Sequence, residues 1–196
     1  MHTSRPWITC WIVAAGLCGM GPLAQAQAQA PSPLPQGDKA LIAQTRDGRE
    51  TRIGVVSFTP TAEGASRVRV KMDHQVMHDH FLSMREFKCL DAADEISCHV
   101  VYPYANPGTV TAQDLQWLDH QTLFLYKRPA DFGAKLWNGI LFRWRMSAQG
   151  LLAEPHAVDL NQISAPPDRL DLPPFGLADT EPFAPKARWI TQLRIE

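Results

Sequence analysis

Hydrophobic and polar residues alternate with a period of two along most of the chain. In the stretch 66–72, SRVRVKM, apolar residues at 68, 70 and 72 alternate with basic residues at 67, 69 and 71. Successive side chains of a β-strand point to opposite faces, so this pattern predicts strands with one face in the core. The alternating runs are short and are separated by Gly, Pro, Asp and Asn, which is typical of antiparallel sheet.

Three strands in a meander are predicted at the start of the domain. The run KALIAQ (39–44) leads into Asp47-Gly48, a strong signal for a two-residue hairpin turn, and TRIGVVSF (51–58) returns from that turn. The turn-forming stretch 59–65, TPTAEGA, then separates TRIGVVSF from SRVRVKM.

One short helix is predicted between the two halves of the sheet. Thr111 and Asp114 have the spacing of a capping box, with Asp in place of the usual Glu, and Leu115 and Leu118 follow. Strands resume with QTLFLYK (121–127), GILFRWRM (139–146), LLAEPHAV (151–158) and ARWITQLRIE (187–196). The proline-rich stretch 164–185 excludes regular helix or sheet and predicts an extended arm on the surface.

These elements define the predicted fold class. We expect a sheet-dominated α+β domain of mainly antiparallel β, with about nine strands in a meander and hairpins and one short helix. A small open barrel is an alternative arrangement of the same strands. Residues 38–196 are predicted to form a single globular domain, with 27–37 as a flexible linker before it.

The first 26 residues have the anatomy of a secretory signal peptide. Arg5 precedes an apolar run from Trp7 to Met20, and Ala-x-Ala triplets follow that run. Cleavage is expected after Ala26 or after Ala28. The run is shorter than the roughly 20 residues that a membrane span requires. We therefore predict a periplasmic or secreted protein that does not span the membrane after cleavage.

Export makes a disulfide the expected state of the two cysteines that remain after cleavage, because an oxidising compartment favours pairing. Cys89 and Cys98 lie in two alternating runs joined by the polar stretch 91–95, DAADE. This arrangement predicts a hairpin with a disulfide between its strands. The spacing excludes a thioredoxin-type C-x-x-C, and two thiols alone lack the ligands of a structural zinc site.

Charge and motifs narrow the classes of function. The net charge is −1, with no basic block suited to a nucleic-acid backbone. The sequence has no G-x-S-x-G or H-E-x-x-H motif, and the DFG triplet at 131–133 lacks the other kinase motifs. Asp91, Asp94 and Glu95 fall in the predicted hairpin tip, where solvated charges are typical. An envelope hydrolase with a site assembled from distant residues stays open as a second alternative.

The stretch 71–84, KMDHQVMHDHFLSM, contains three histidines and three methionines. In an extended chain its even positions share one face, so two imidazoles in the pattern His-x-His can reach one ion. In a helix only the first two histidines converge. Further ligands must come from elsewhere, and imidazole with thioether favours copper, with zinc as the other candidate. The candidate ligands are His74, His78, His80, Met84 and His99. Methionines are more often core residues, so the leading expectation is that no cofactor is bound.

Four stretches resemble a family of exported proteins of unknown function in Gram-negative bacteria. They are DHFLSMREFKCL (79–90), CHVVYPY (98–104), LWNGI (136–140) and DLN (159–161), in that order. The resemblance implies a periplasmic, single-domain protein and brings no activity and no ligand.

The leading functional hypothesis is a non-catalytic binding or accessory module for an envelope protein, another envelope component or a small apolar ligand. Tyr102 and Tyr104 flank Pro103, and Trp137 lies beside a predicted turn. Exposed aromatic side chains at these three positions would form a recognition patch. Aromatic side chains also commonly fill the ends of sheet cores, so burial of these residues would argue against the patch.

Overall fold

The computed structural model describes residues 34–61 and 64–196, together with His2. Apart from His2, the predicted signal peptide lies outside the described residues, as does most of the predicted linker. Twelve strands and one α-helix follow in chain order: β1 (Gly37–Thr45), β2 (Glu50–Pro60), β3 (Ser66–Met72), β4 (His78–Leu82), β5 (Arg85–Asp91), β6 (Ile96–Val100), β7 (Thr109–Val110), α1 (Gln116–Asp119), β8 (Leu123–Lys127), β9 (Gly139–Ser147), β10 (Gly150–Val158), β11 (Glu181–Pro182) and β12 (Ile190–Ile195).

All the strands belong to one open antiparallel sheet. The order of its strands is β4-β5-β6-β8-β9-β10-β12-β1-β2-β3-β7. The short strand β11 lies outside this order and pairs with β10. The predicted class, a sheet-dominated and mainly antiparallel fold with one short helix, is confirmed. The three strands beyond the predicted nine are β4, β7 and β11, and the last two are only two residues long. No helix among the described residues is long and apolar enough to cross a membrane.

The predicted meander of β1, β2 and β3 is present, with a different first turn. Thr45 N–H donates to Arg49 O, so this hydrogen bond encloses three residues (46–48) instead of the predicted two. Gly48 has a φ of 82°, which a side chain at this position would disfavour. The third residue of such a loop usually adopts this left-handed conformation, which explains why Asp-Gly also suits the longer turn.

The predicted disulfide hairpin is formed by β5 and β6. Cys89 and Cys98 are directly paired across the two strands and are joined by a disulfide, with their Cα atoms 3.9 Å apart. Strand pairing between β5 and β6 covers only residues 89–91 and 96–98. The remainder of β5 pairs with β4 alone, so the β4–β5 hairpin diverges from the sheet at the disulfide.

The predicted capping box would start the helix at residue 112, whereas helix α1 starts four residues later, at Gln116. Thr111 Oγ1 accepts a hydrogen bond from Asp114 N–H at 3.1 Å, as a cap would, but the chain there forms a turn. Asp114 Oδ1 then accepts from Gln116 N–H at 3.0 Å, next to the start of the helix. The helix has four residues, and Trp117 and Leu118 pack into the core.

A single hydrophobic core connects both halves of the sheet. Among the described residues its largest fully buried side chains are Phe58, Phe124, Phe142 and Phe175. Phe175 comes from the proline-rich arm, which is therefore anchored in the core. The expectation that 164–185 contains no regular structure is wrong for β11, where Glu181 and Pro182 pair with β10 at residues 156 and 157. Only two residues pair because proline cannot donate to a sheet.

Candidate functional site

The histidines of the stretch 71–84 divide into two groups. His78 and His80 lie on β4, and both contact Asp91 on β5: His78 Nδ1 is 3.0 Å from Oδ2, and His80 Nε2 is 2.9 Å from Oδ1. Alternation places residues 78 and 80 on one face, and the antiparallel register brings residue 91 beside them. His74 lies in the turn before β4 and lines a different cavity together with His99.

Asp91 joins the two β4 histidines, which the sequence did not indicate. Partial burial would by itself raise the pKa of Asp91, but hydrogen bonds with His78 and His80 hold that pKa below its ordinary value. The carboxylate is therefore charged at neutral pH. It fixes the orientation of both rings at the base of the β4–β5 hairpin.

Glu95, expected to be a solvated charge, is buried. It is 6% exposed, its Oε1 accepts hydrogen bonds from Ser97 Oγ and Trp189 N–H at 3.1 Å each, and its Oε2 lies 3.3 Å from Arg188. Burial of a carboxylate requires such partners. The β5–β6 turn is thus fastened to the segment preceding β12, a contact between residues far apart in the sequence.

The proposed metal ligands do not share one site. Met84 is 90% exposed in the β4–β5 turn, whereas Met72 and Met77 are buried in the core. Within the described part of the chain, no group of three or more His, Cys, Asp or Glu side chains is arranged to hold a metal ion.

The three aromatic residues of the predicted recognition patch are likewise separated. Tyr102 is buried against Trp117 and His120. Tyr104 is half-buried, and its hydroxyl donates to Ile163 O at 3.1 Å. Trp137 is 64% exposed and lines a different cavity from Tyr104. Burial of Tyr102 removes the patch in its predicted form.

An apolar cavity of about 530 Å³ lies beneath the β4–β5 hairpin. Drug-sized and cofactor-sized ligands occupy cavities of roughly 300–1,000 Å³ lined mainly by apolar groups. The apolar side chains that line it come from β5, β6, β8 and the loops after β6, β8 and β10: Phe87, Val100, Val101, Pro103, Tyr104, Leu125, Ala134, Leu136, Leu160 and Ile163. Ser83, Arg85 and Ser164 supply its polar groups.

The tip of the β4–β5 hairpin is fastened over this cavity. Ser83 Oγ accepts a hydrogen bond from Ala134 N–H at 3.0 Å. The two turn residues, Ser83 and Met84, have φ values of 48° and 69°. Two consecutive positive φ values define the type I′ hairpin turn, which normally selects Asn-Gly. Here the strained turn places Met84 in solvent.

Three exposed apolar side chains belong to the segments that line the cavity. Val101, which lines it, is 73% exposed, Met84 is 90% exposed, and Phe132 is 100% exposed. Met84 adjoins Ser83, and Phe132 lies two residues before Ala134, so both stand beside the contact that fastens the hairpin.

A groove beside β3 lies next to the apolar cavity. It consists of two cavities of about 620 Å³ and 540 Å³, which share Val70, His99 and Val101. Burial lowers the pKa of His99 to about 4, so its ring is neutral at pH 7. The walls carry Arg67 and Arg69 in the first cavity, and Arg52, Lys71 and the carboxylate of Asp73 in the second.

Sequence reasoning missed most of this site because its lining residues are apolar and read as core. The available signal was local: Ser83-Met84 interrupts an alternating run at a position where Asn-Gly would be usual. A methionine there is exposed by the turn itself. The cavity, by contrast, is lined in part by the loops around residues 134 and 163, which no local sequence pattern connects to the hairpin.

Comparison with models of protein families, with curated proteins and with solved structures finds no match for this chain.

Proposed function

We propose that this protein is an exported, non-catalytic binding module of the cell envelope, located in the periplasm, whose cavity beneath the β4–β5 hairpin holds the apolar part of a ligand. The observation that carries the proposal is the cavity itself: about 530 Å³, lined mainly by apolar side chains, among which Val101 is exposed to solvent. The signal-like start of the sequence and the Cys89–Cys98 disulfide support export.

The chemistry of the lining favours binding over catalysis. The ionisable side chains among the lining residues are those of Arg85 and Tyr104. An arginine stays protonated in proteins, and the Tyr104 hydroxyl already donates to Ile163 O. A general acid or base needs a group that exchanges its proton near the working pH. The lining therefore suits retention of an apolar group.

The apolar cavity is tested with a neutral fluorescent probe, N-phenyl-1-naphthylamine, and protein purified from the periplasmic extract. Ala134→Phe places a large ring in the cavity and should weaken probe binding at least tenfold. Ala148→Phe makes the same change in the exposed β9–β10 turn and should leave binding unchanged. Thermal unfolding of both variants reports whether the fold is kept. Equal probe affinity for the wild type and a folded Ala134→Phe variant would overturn the proposal.

Export is tested separately by N-terminal sequencing of the same material. The chain should begin at Gln27 or Gln29, after the alanines at which cleavage is expected. Protein that keeps Met1 in the periplasmic extract would refute removal of the leader, whatever the outcome of the probe titration.

A further inference from the structure

We propose that the ligand is an anionic amphiphile with a single alkyl chain: the chain occupies the apolar cavity beneath the β4–β5 hairpin, and the acidic headgroup lies in the groove beside β3. This inference rests on the proposed function, since it requires the cavity to bind an apolar group, and it adds the charge and shape of the ligand.

The first observation is a row of cations without acidic partners. Arg67, Arg69 and Lys71 are exposed on one face of β3, and Arg52 is exposed on the neighbouring strand. Most other arginines of the described chain have a carboxylate within ion-pair distance, but these four cations have none there. Alternate side chains of a strand lie roughly 7 Å apart, so three like charges follow each other along β3. Asp73 is the one carboxylate among the described residues that line the groove, so four cations still leave a net positive charge there, and an anionic group would neutralise it.

The second observation is that the charged groove and the apolar cavity meet at one residue. Val101 lines the apolar cavity and both halves of the groove. Its side chain is 73% exposed, so the two spaces border each other at the surface. A ligand that fills both must be apolar at one end and acidic at the other. Arg85, on the rim of the apolar cavity, adds another cation there.

The third observation separates a lipid-like ligand from an acidic peptide. A peptide would have to add to the edge of β3 that faces away from β2, through backbone hydrogen bonds. That edge is largely occupied: Val68 N–H donates to Gly108 O, and the side chain of Gln121 bonds to Val68 O and Val70 N–H. Recognition of a headgroup by side chains does not need the edge. The groove therefore fits an amphiphile better than an added strand.

The test displaces the neutral probe with ligands that share a dodecyl chain, below their micelle-forming concentrations. Dodecyl phosphate and dodecanoate carry acidic headgroups, dodecyl maltoside is neutral, and dodecyltrimethylammonium is cationic. At least one acidic ligand should displace the probe at a concentration tenfold lower than the neutral one requires. The comparison of phosphate with carboxylate identifies the headgroup. Added salt should reduce the preference, because exposed cations supply it.

Variants that remove the cations of β3 test where the acidic headgroup binds. Arg67→Gln/Arg69→Gln/Lys71→Gln should abolish the tenfold preference and leave displacement by dodecyl maltoside unchanged. The control Arg145→Gln/Arg169→Gln/Lys186→Gln removes three exposed cations elsewhere, with the same change in net charge, and should keep the preference.

Each failure has a distinct meaning. If dodecyl maltoside displaces the probe as well as the acidic ligands do, the inference is wrong and the binding module stands. If inorganic phosphate or hexaglutamate competes as strongly as dodecyl phosphate, the alkyl chain contributes nothing and the inference is again wrong. If the probe does not bind the wild type, both the proposed function and the inference fall.

Discussion

The side-chain carbonyl of Gln121 accepts a hydrogen bond from the backbone N–H of Val70 at 2.9 Å. Its Nε2 donates to Val68 O at 3.1 Å, so one carboxamide reproduces the contacts that a peptide group of a neighbouring strand would make. The edge of β3 beyond β7 is thereby covered by a side chain from the α1–β8 connection. Covering an edge in this way limits pairing with other chains.

The Gln121 contact predicts that two substitutions of this residue destabilise the fold. Gln121→Met removes both hydrogen bonds and should lower the free energy of unfolding by about 1–3 kcal/mol. Gln121→Glu keeps the acceptor for Val70 but turns a carboxylate oxygen toward Val68 O, so it should cost at least as much at pH 7. Urea unfolding measures both. Full stability of Gln121→Glu at pH 7 would show that the donor to Val68 O is dispensable.

The turn of the β4–β5 hairpin predicts opposite changes in stability and binding. An L-residue in the left-handed conformation costs roughly 1–2 kcal/mol, whereas glycine adopts that conformation without strain. Glycine also raises the conformational entropy of the unfolded chain, which offsets part of the strain that the substitution removes. Met84→Gly should therefore raise the free energy of unfolding by about 0.5–1 kcal/mol. It should also weaken binding of the neutral probe, because it removes an apolar side chain beside the cavity. Unchanged stability would contradict the positive φ of Met84.

Asp119 gives the fold an unusual dependence on pH. Burial raises its pKa to about 7, although the hydrogen bond from Trp144 N–H and the charge of Arg143 oppose this shift. Between pH 3.8 and 7 the folded state therefore holds a proton that the unfolded state releases. The contribution of protonated Asp119 to the free energy of unfolding is complete below pH 3.8 and is lost as the pH rises to 7. Over that window the loss is on the order of 4 kcal/mol.

His99 and His120 act in the opposite direction. Burial lowers the pKa of each to about 4, so their contribution is complete above pH 6.5 and is lost as the pH falls toward 4. Asp119→Asn keeps an acceptor for Trp144 N–H and removes the compensating proton. The variant should lose more stability than the wild type between pH 7 and pH 4.5, measured by urea unfolding. Parallel pH profiles would refute the raised pKa of Asp119.

His120 anchors the proline-rich arm. Its Nδ1 donates to Gln116 O at 2.8 Å, its Nε2 accepts from Phe175 N–H at 3.2 Å, and its ring stacks on Phe175 at 5.4 Å. His120→Ala leaves Phe175 N–H unpaired, whereas Gln116 O still accepts from the backbone N–H of residue 120, so the substitution should cost about 1–3 kcal/mol. Hydrogen exchange at Phe175 should accelerate. His156→Leu is the control: His156 Nδ1 is buried without a hydrogen-bond partner, so its removal should be neutral or stabilising.

The sequence predicted what depends on local pattern. Period-two alternation located β1, β2 and β3, and cysteine spacing with the signal-like start predicted the Cys89–Cys98 bond. The burial of Glu95 was not predicted because its partner Arg188 is distant in the sequence, and only the tertiary fold brings the two residues together. The pairing of Asp91 with the β4 histidines required the register of β4 against β5, which alternation alone does not determine.

The disulfide predicts a coupled loss of stability and binding. Cys89 and Cys98 lie where β5 separates from β6, so their bond holds the base of the hairpin that covers the apolar cavity. Closing so short a loop lowers the conformational entropy of the unfolded chain, which stabilises the fold by about 2–3 kcal/mol. Cys89→Ser/Cys98→Ser should therefore lower the free energy of unfolding by this amount, and dithiothreitol should destabilise the wild type but not the variant. Because the hairpin loses its clamp, the neutral probe should also bind more weakly to the folded variant. If the variant were less stable yet bound the probe with unchanged affinity, the hairpin would hold its place through the Ser83 contact with Ala134, and the disulfide would act on stability alone.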